Sequence, residues 1–358
     1  MSSSPAAMCS LQYNESGTPM SKHDKPKNNW KSVLKADPTD WLLEDDNPSV
    51  RYFTLVDLLG KSPTNVDVVK TRKSIMSSGT APAILGEQEA SGYWGIPQDF
   101  YIRSKYKGTV WNIITLAQLG ADGSDERIHK AGEFILNNSQ DLQSGGFAYS
   151  SEEDGGGDHA KVVPCLTGNM VFSLIRFGFL EDPRIRKAID WIVKYQRFDD
   201  GVGSAPRGWI YDRYKQCWGK HTCTMGVVKT LKALAEIPPE KQSGAVSKTI
   251  EQGAEYLLKH HLYKQSHNLA RVAKDYWTHF GFPLFWKTNA LEMLGVLTQL
   301  GYHDTRMQDA IELVLSKQDE QGRWLLETTF NGRTLVRIEA RNKPSKWITL
   351  HALLALKS

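Results

Sequence analysis

Three of the four cysteines, Cys165, Cys217 and Cys223, cluster in the middle of the chain, with His221 beside the last of them in a His221-Thr222-Cys223 run. Thiolates and an imidazole are the usual ligands of tetrahedral Zn2+. If all four bound, the site would be closed and structural. With only three, an open position would remain for water or a substrate oxygen or thiol, and the metal would lower its pKa toward neutrality. A second group lies just upstream, where Asp158 and His159 end an acidic, glycine-rich stretch, EEDGGGDH. A carboxylate and an imidazole on a loop that can close over a site are candidate general acid and base groups. The competing readings are plain ones: free cysteine is often a small buried apolar residue, and such a loop is often only surface.

Convergence of these residues depends on the elements that carry them, and a repeat supplies the frame. Weakly charged apolar segments recur at 48–60 (PSVRYFTLVDLLG), 108–120 (GTVWNIITLAQLG), 166–178 (LTGNMVFSLIRFG), 223–235 (CTMGVVKTLKALA), 289–301 (NALEMLGVLTQLG) and 345–356 (SKWITLHALLAL). Their last core positions, Leu59, Leu119, Phe177, Leu234, Leu300 and Leu356, are 60, 58, 57, 66 and 56 residues apart. Between them lie amphipathic helices. In 183–193 the apolar residues fall at 185, 188, 189, 192 and 193, a helical stripe with a solvated back.

Helices apolar on nearly all sides must be wrapped by others, so the pattern predicts six inner helices inside an outer ring, an all-α (α/α)6 toroid. An open solenoid is the alternative, but the period exceeds the roughly 34–47 residues of common helical solenoids. Within this frame Cys165 and Cys223 stand at nearly equivalent starts of adjacent inner helices. The expected organisation is a flexible N-terminal tail over residues 1–38, rich in Ser, Lys, Asn and Pro, followed by one toroid over 39–358.

The chain has 358 residues, 40% of them hydrophobic, enough for a sizeable core. Its 44 Lys and Arg against 40 Asp and Glu leave +4 spread along the chain, which argues against nucleic-acid binding. No apolar run is long enough to span a bilayer, and the first residues lack a basic and apolar leader, so a cytoplasmic protein is expected.

Short turns after the amphipathic helices share a signature: Gln88-Glu-Ala-Ser-Gly92-Tyr-Trp94 and Gln318-Asp-Glu-Gln-Gly322-Arg-Trp324, with degenerate copies at 140–147 and 196–203. This resembles the QW repeat of the terpenoid cyclase and protein prenyltransferase superfamily, to which squalene-hopene cyclase belongs (the prenyltransferase/squalene oxidase repeat), in a single-toroid, bacterial-type branch. The resemblance covers about residues 40–358 and implies the toroid fold. Its glycine would take the left-handed turn leaving the helix, and its Gln would bond freed carbonyls, so these residues should be structural. The D-x-D-D acid of protonation-initiated cyclases is absent. The H-T-C run is similar to the zinc-binding His of protein prenyltransferases, although Val163 stands where their D-x-C motif has Asp.

Basic residues, Arg213 among them, and the aromatics Trp111, Trp218, Trp286 and Trp347 fall at the starts of the inner helices, where N-terminal dipoles favour an anion. Together these features suggest an enzyme handling a hydrophobic, isoprenoid-like small molecule in the central cavity, by acid/base or zinc-assisted chemistry. The alternative is a non-catalytic ligand-binding or scaffold toroid with structural zinc. A carbohydrate-active barrel would need paired carboxylates at the inner-helix starts, which offer almost none.

Overall fold

A computed structural model describes residues 30–357 of the chain. It is mostly helical: α1 (Thr39–Leu42), α2 (Pro48–Phe53), α3 (Val66–Ser77), α4 (Thr80–Leu85), α5 (Thr109–Gln118), α6 (Glu126–Asn138), α7 (Pro164–Arg176), α8 (Pro183–Tyr195), α9 (Lys215–Trp218), α10 (Thr224–Leu234), α11 (Gly244–Lys259), α12 (Ala290–Gln299), α13 (Gln308–Ser316) and α14 (Lys346–Lys357). The only paired strands among the described residues are a small hairpin, β1 (Lys264–Gln265) and β2 (Asn268–Val272). No helix among them is long and apolar enough to cross a membrane.

The two helix classes separate by burial as their sequences require. Every residue of α5 is buried, as are most of α7, α10, α12 and α14. By contrast α8 buries Ile185, Ala188, Ile189, Trp191 and Ile192 and leaves its charged face outside. An Asp, Asn or Ser side chain caps the start of α3, α6, α8 and α11 by accepting from the first turn, a contact typically worth about 1 kcal/mol. Consecutive apolar helices are neighbours: α5 packs on α7, α7 on α10, α10 on α12, α12 on α14, and α14 on α2 and its π-helical continuation Thr54–Leu58. The closest pair is α7 and α10, where Gly168 lets the backbone of Lys229 approach; a Cβ there would sit 2.5 Å from its carbonyl carbon.

The recurring turn has one set of contacts. Trp94 and Trp324 each donate an indole N–H to a carbonyl ten residues back, Ile84 and Val314, at 2.8 and 2.7 Å. The backbone N–H groups of Trp94, Phe147 and Trp324 donate to Thr109, Thr167 and Thr349 at the start of the following apolar helix. Gln88 and Gln140 donate across to the carbonyls of Arg127 and Arg184 in the next amphipathic helix. Gly92 (φ 90°) and Gly145 (φ 89°) lie against Lys130 and Lys187 there, too close for any side chain.

In the last repeat the start of the described chain takes the place that the next amphipathic helix holds in the others. Gly322 (φ 74°) lies against the Ala36 carbonyl, Gln318 accepts the Lys35 N–H at 2.8 Å, and Lys35 reaches Glu320. Of the expected tail, Lys35 and Ala36 are seated on the turn at Gln318, and residues 1–29 lie outside the described residues.

Candidate functional site

The structure gives His159 a partner other than the one beside it in sequence. Asp158 caps the 3-10 turn His159–Lys161, accepting the Ala160 N–H at 2.9 Å and pairing with Lys161 at 2.8 Å. Burial pushes its carboxyl up, but the bonds from Lys161 and Ala160 outweigh this and leave it below the usual carboxylate range. Asp158 thus stands as a capping, ion-paired carboxylate. The imidazole Nδ1 of His159 instead lies 2.7 Å from Oδ2 of Asp141.

Asp141 follows Gln140 in the turn after α6, and its side chain is 4% exposed. It accepts the N–H groups of Gln143 and Ser144 at 3.0 Å and the Ser144 hydroxyl. Burial pushes Asp141 up, while the bonds from Ser144, His159 and these amides hold it below its ordinary value. An ionised Asp141 fixes the proton of neutral His159 on Nδ1 and leaves the Nε2 lone pair free. The imidazole stacks on Trp209, 4.2 Å between centroids and 11° from parallel, and Trp209 donates its indole N–H to the His159 carbonyl. Asp141, Leu142, Glu152, Glu153, Asp154 and His159 line an open cleft of about 500 Å³. The pair is therefore an oriented imidazole at the wall of a cleft, able to take up or release one proton.

The thiols and His221 part company. Cys165 in the first turn of α7, Cys217 in α9 and Cys223 before α10 are close enough to influence one another electrostatically. Burial pushes Cys165 up to about 12 and Cys217 well above the usual thiol range, so they are neutral. His221 is drawn the other way by backbone pairing with Asp200: its half-exposed ring packs on Gly201, with Nδ1 3.4 Å from Asp200 Oδ1. Among the described residues no three His, Cys, Asp or Glu side chains are placed to hold a metal ion. As arranged, Cys165, Cys217, His221 and Cys223 do not fit zinc.

The expected substrate aromatics fall into two groups. Trp111 packs against Tyr101, Tyr106 and Phe285, and Phe285 against Phe330. Phe282 stacks on Trp347 at 4.3 Å, so the segment 282–285 ties both tryptophans into one aromatic centre. Half-buried Trp286 joins it by donating to the Tyr106 hydroxyl. Trp218 stands apart: it packs on Trp191 and donates to the Tyr195 carbonyl of α8, a wedge between helices. Arg213 is exposed, its guanidinium 6.0 Å above the Tyr214 ring. A chain of tyrosines joins the centre to the cleft: Tyr101 beside Tyr149, Tyr149 to Tyr214 at 3.1 Å, and Tyr214 to the Ala160 carbonyl.

One polar cluster escaped the sequence reading altogether. Lys229 of α10 reaches both carboxylate oxygens of Glu292 in α12 at 2.7 Å, and Lys232 lies 3.3 Å from one of them. Burial pushes the Lys229 ammonium down to about 8, with Glu292 opposing. Burial raises Glu292, but the two lysines hold it below its ordinary value. Nearby His351 is driven down to about 4, first by burial and then by the Lys232 charge.

No protein-family model matches this chain, and no curated protein matches its sequence. Among solved structures it is similar to the type II terpene cyclase MstE from Scytonema in complex with geranylgeranyl dihydroxybenzoate, at 14% identity and TM-score 0.37 over 87% of this chain and 86% of that one. It is also similar to a possible member of the GH105 family from Salmonella enterica, at 11% identity and TM-score 0.42 over 98% of both chains. A protein from Actinoplanes matches at 14% identity and TM-score 0.29 over 80% of this chain and 98% of that one.

Proposed function

We propose that this chain is an (α/α)6 toroid of the terpenoid cyclase and prenyltransferase type, and an enzyme that moves a proton on a hydrophobic, isoprenoid-like small molecule. The contact order of the apolar helices, which returns from α14 to α2, supports the toroid. The observation that carries the activity is the 2.7 Å contact between Asp141 and His159 at the wall of an open cleft. His159 is the acid/base group, acting through Nε2. Asp141 is its positioning residue and stabilises the imidazolium. The aromatic centre of Trp111, Trp286 and Trp347 is the seat for apolar carbon, and an aromatic face there stabilises developing positive charge. No step is routed through zinc, and reduced thiols suit a cytoplasmic protein.

The test is incubation with a panel of acyclic isoprenoid alcohols and acids, followed by mass spectrometry of products. The expected result is conversion that is lost in His159→Gln and reduced about 10²–10⁴-fold, the usual worth of general acid–base catalysis, in Asp141→Asn. Conversion unchanged in His159→Gln would refute the assignment.

A second reading, a scaffold without chemistry, is favoured by the near-complete burial of Trp111 and Trp347, which leaves those rings in the packed core. Neither product nor isoprenoid binding in any arm would establish it.

A further inference from the structure

The chain-wide charge of +4 conceals a division. Four stretches run up to the starts of α5, α10, α12 and α14, at residues 96–107, 197–223, 261–288 and 328–346, the last ending on the first residue of α14, and they hold 17 of the 44 Lys and Arg but only 6 of the 40 Asp and Glu. The remainder of the chain then has 27 basic against 34 acidic residues. Among the described residues only Arg197, Lys264 and Lys346 of the seventeen are ion-paired to a carboxylate.

These loops form one surface. Lys105 lies over Trp286, Arg333 over Tyr106, Gly281 pairs with Thr328, and Tyr276 reaches Met225 at the start of α10. His260, just before the third loop, lies 3.2 Å from Asp200 in the second. The loops into α2 and α7 are acidic, with Glu44, Asp45 and Asp46 in one and Glu152, Glu153 and Asp154 in the other, so the basic area is a bounded sector. The same four loops expose Ile96, Ile102, Val202, Leu269 and Tyr276, Val202 to 87%.

We propose that this sector docks the protein on an anionic lipid surface. Lys and Arg without a carboxylate partner are drawn to a negatively charged leaflet, and exposed apolar tips enter the headgroup boundary. The apolar tips favour lipid over nucleic acid, whose grooves and phosphates would be met by polar groups. Docking is peripheral, since no described helix spans a bilayer. The proposal stands independently of the chemistry proposed at His159.

The experiment is co-sedimentation of the full chain with vesicles of phosphatidylcholine alone or mixed equally with phosphatidylglycerol. The expected result is binding to the mixed vesicles only, abolished at about 0.5 M NaCl, where the screening length falls to about 4 Å. The variant Arg207→Ser/Arg271→Ser/Lys274→Ser/Arg337→Ser, checked for an unchanged melting temperature, should lose at least about tenfold in partitioning. Ile102→Ser/Val202→Ser should weaken binding while keeping its salt dependence. Equal binding to both vesicle types, no binding at low salt, an unaffected charge variant, or displacement from vesicles by duplex DNA would each overturn the proposal.

Discussion

Lys229 and Glu292 meet across two neighbouring apolar helices through two 2.7 Å contacts, with the lysine wholly removed from solvent. Taking one partner away leaves the other charge buried and uncompensated, which typically costs 3–5 kcal/mol, whereas removing both is often neutral. Lys229→Met should therefore lower the urea midpoint sharply, and Lys229→Met/Glu292→Leu should recover most of the loss. A single variant as stable as the parent would show that Lys232 alone satisfies the carboxylate.

His351 sets a pH dependence. Its imidazole is held at about 4 against about 6.5 when unfolded, so the unfolded chain binds the proton more readily. The neutral ring's contribution is fully present above about pH 6.5 and declines as the pH falls toward 4, by at most about 3 kcal/mol. Acidic carboxylates add their own losses, so the useful quantity is the difference between the parent and His351→Gln in chemical denaturation from pH 7 to 4. That difference should shrink with falling pH, and a constant difference would refute the assignment.

Gly322 and Gly332 separate two reasons for needing glycine. Both have positive φ, 74° and 81°, but a Cβ at Gly322 would sit 2.0 Å from the Ala36 carbonyl, while one at Gly332 meets nothing within 4 Å. Gly332→Ala should cost only the left-handed conformation, roughly 1–2 kcal/mol. Gly322→Ala should cost more and loosen residues 30–37, seen as faster amide exchange at Lys35. Deleting residues 1–37 should bring the cost of Gly322→Ala down to about that of Gly332→Ala, the left-handed conformation alone.

Metal content separates the sequence expectation from the arrangement found. Protein purified without chelator should contain no stoichiometric zinc by elemental mass spectrometry, and Cys165→Ser should leave the result unchanged. One zinc per chain, lost in both Cys165→Ser and His221→Ala, would restore the four-ligand set.

The helical frame was legible because burial imposes a period: of the stripe read at 185, 188, 189, 192 and 193, all but half-buried Val193 lie on the buried face of α8, with Trp191 added. His159 was legible as a candidate but its partner was not. Asp141 occupies the place that Asp319 takes in the last repeat, where the carboxylate only ties amides together, so sequence position alone does not set it apart. The approach of His159 depends on how an acidic loop folds back, which spacing does not encode. Lys229 and Glu292 were hidden for the opposite reason: Lys229 is one of two lysines in apolar α10 and Glu292 the one charge in α12, 63 residues apart. The metal expectation turns on His221, which a backbone bridge pairs with Asp200, a partner that the H-T-C spacing does not encode.

The bond from Lys35 to Gln318 joins residues 283 apart in sequence. A chain emerging from the ribosome can pack each repeat against the one before it as soon as both are free. The contacts of Lys35 and Ala36 must wait until the turn at Gln318 has left the exit tunnel. Loop-closure entropy for so long a separation is met only at that last step. Until then the apolar faces on either side of the seam stay wet, and the interval before Lys35 docks is the time when the nascent chain is most exposed to aggregation.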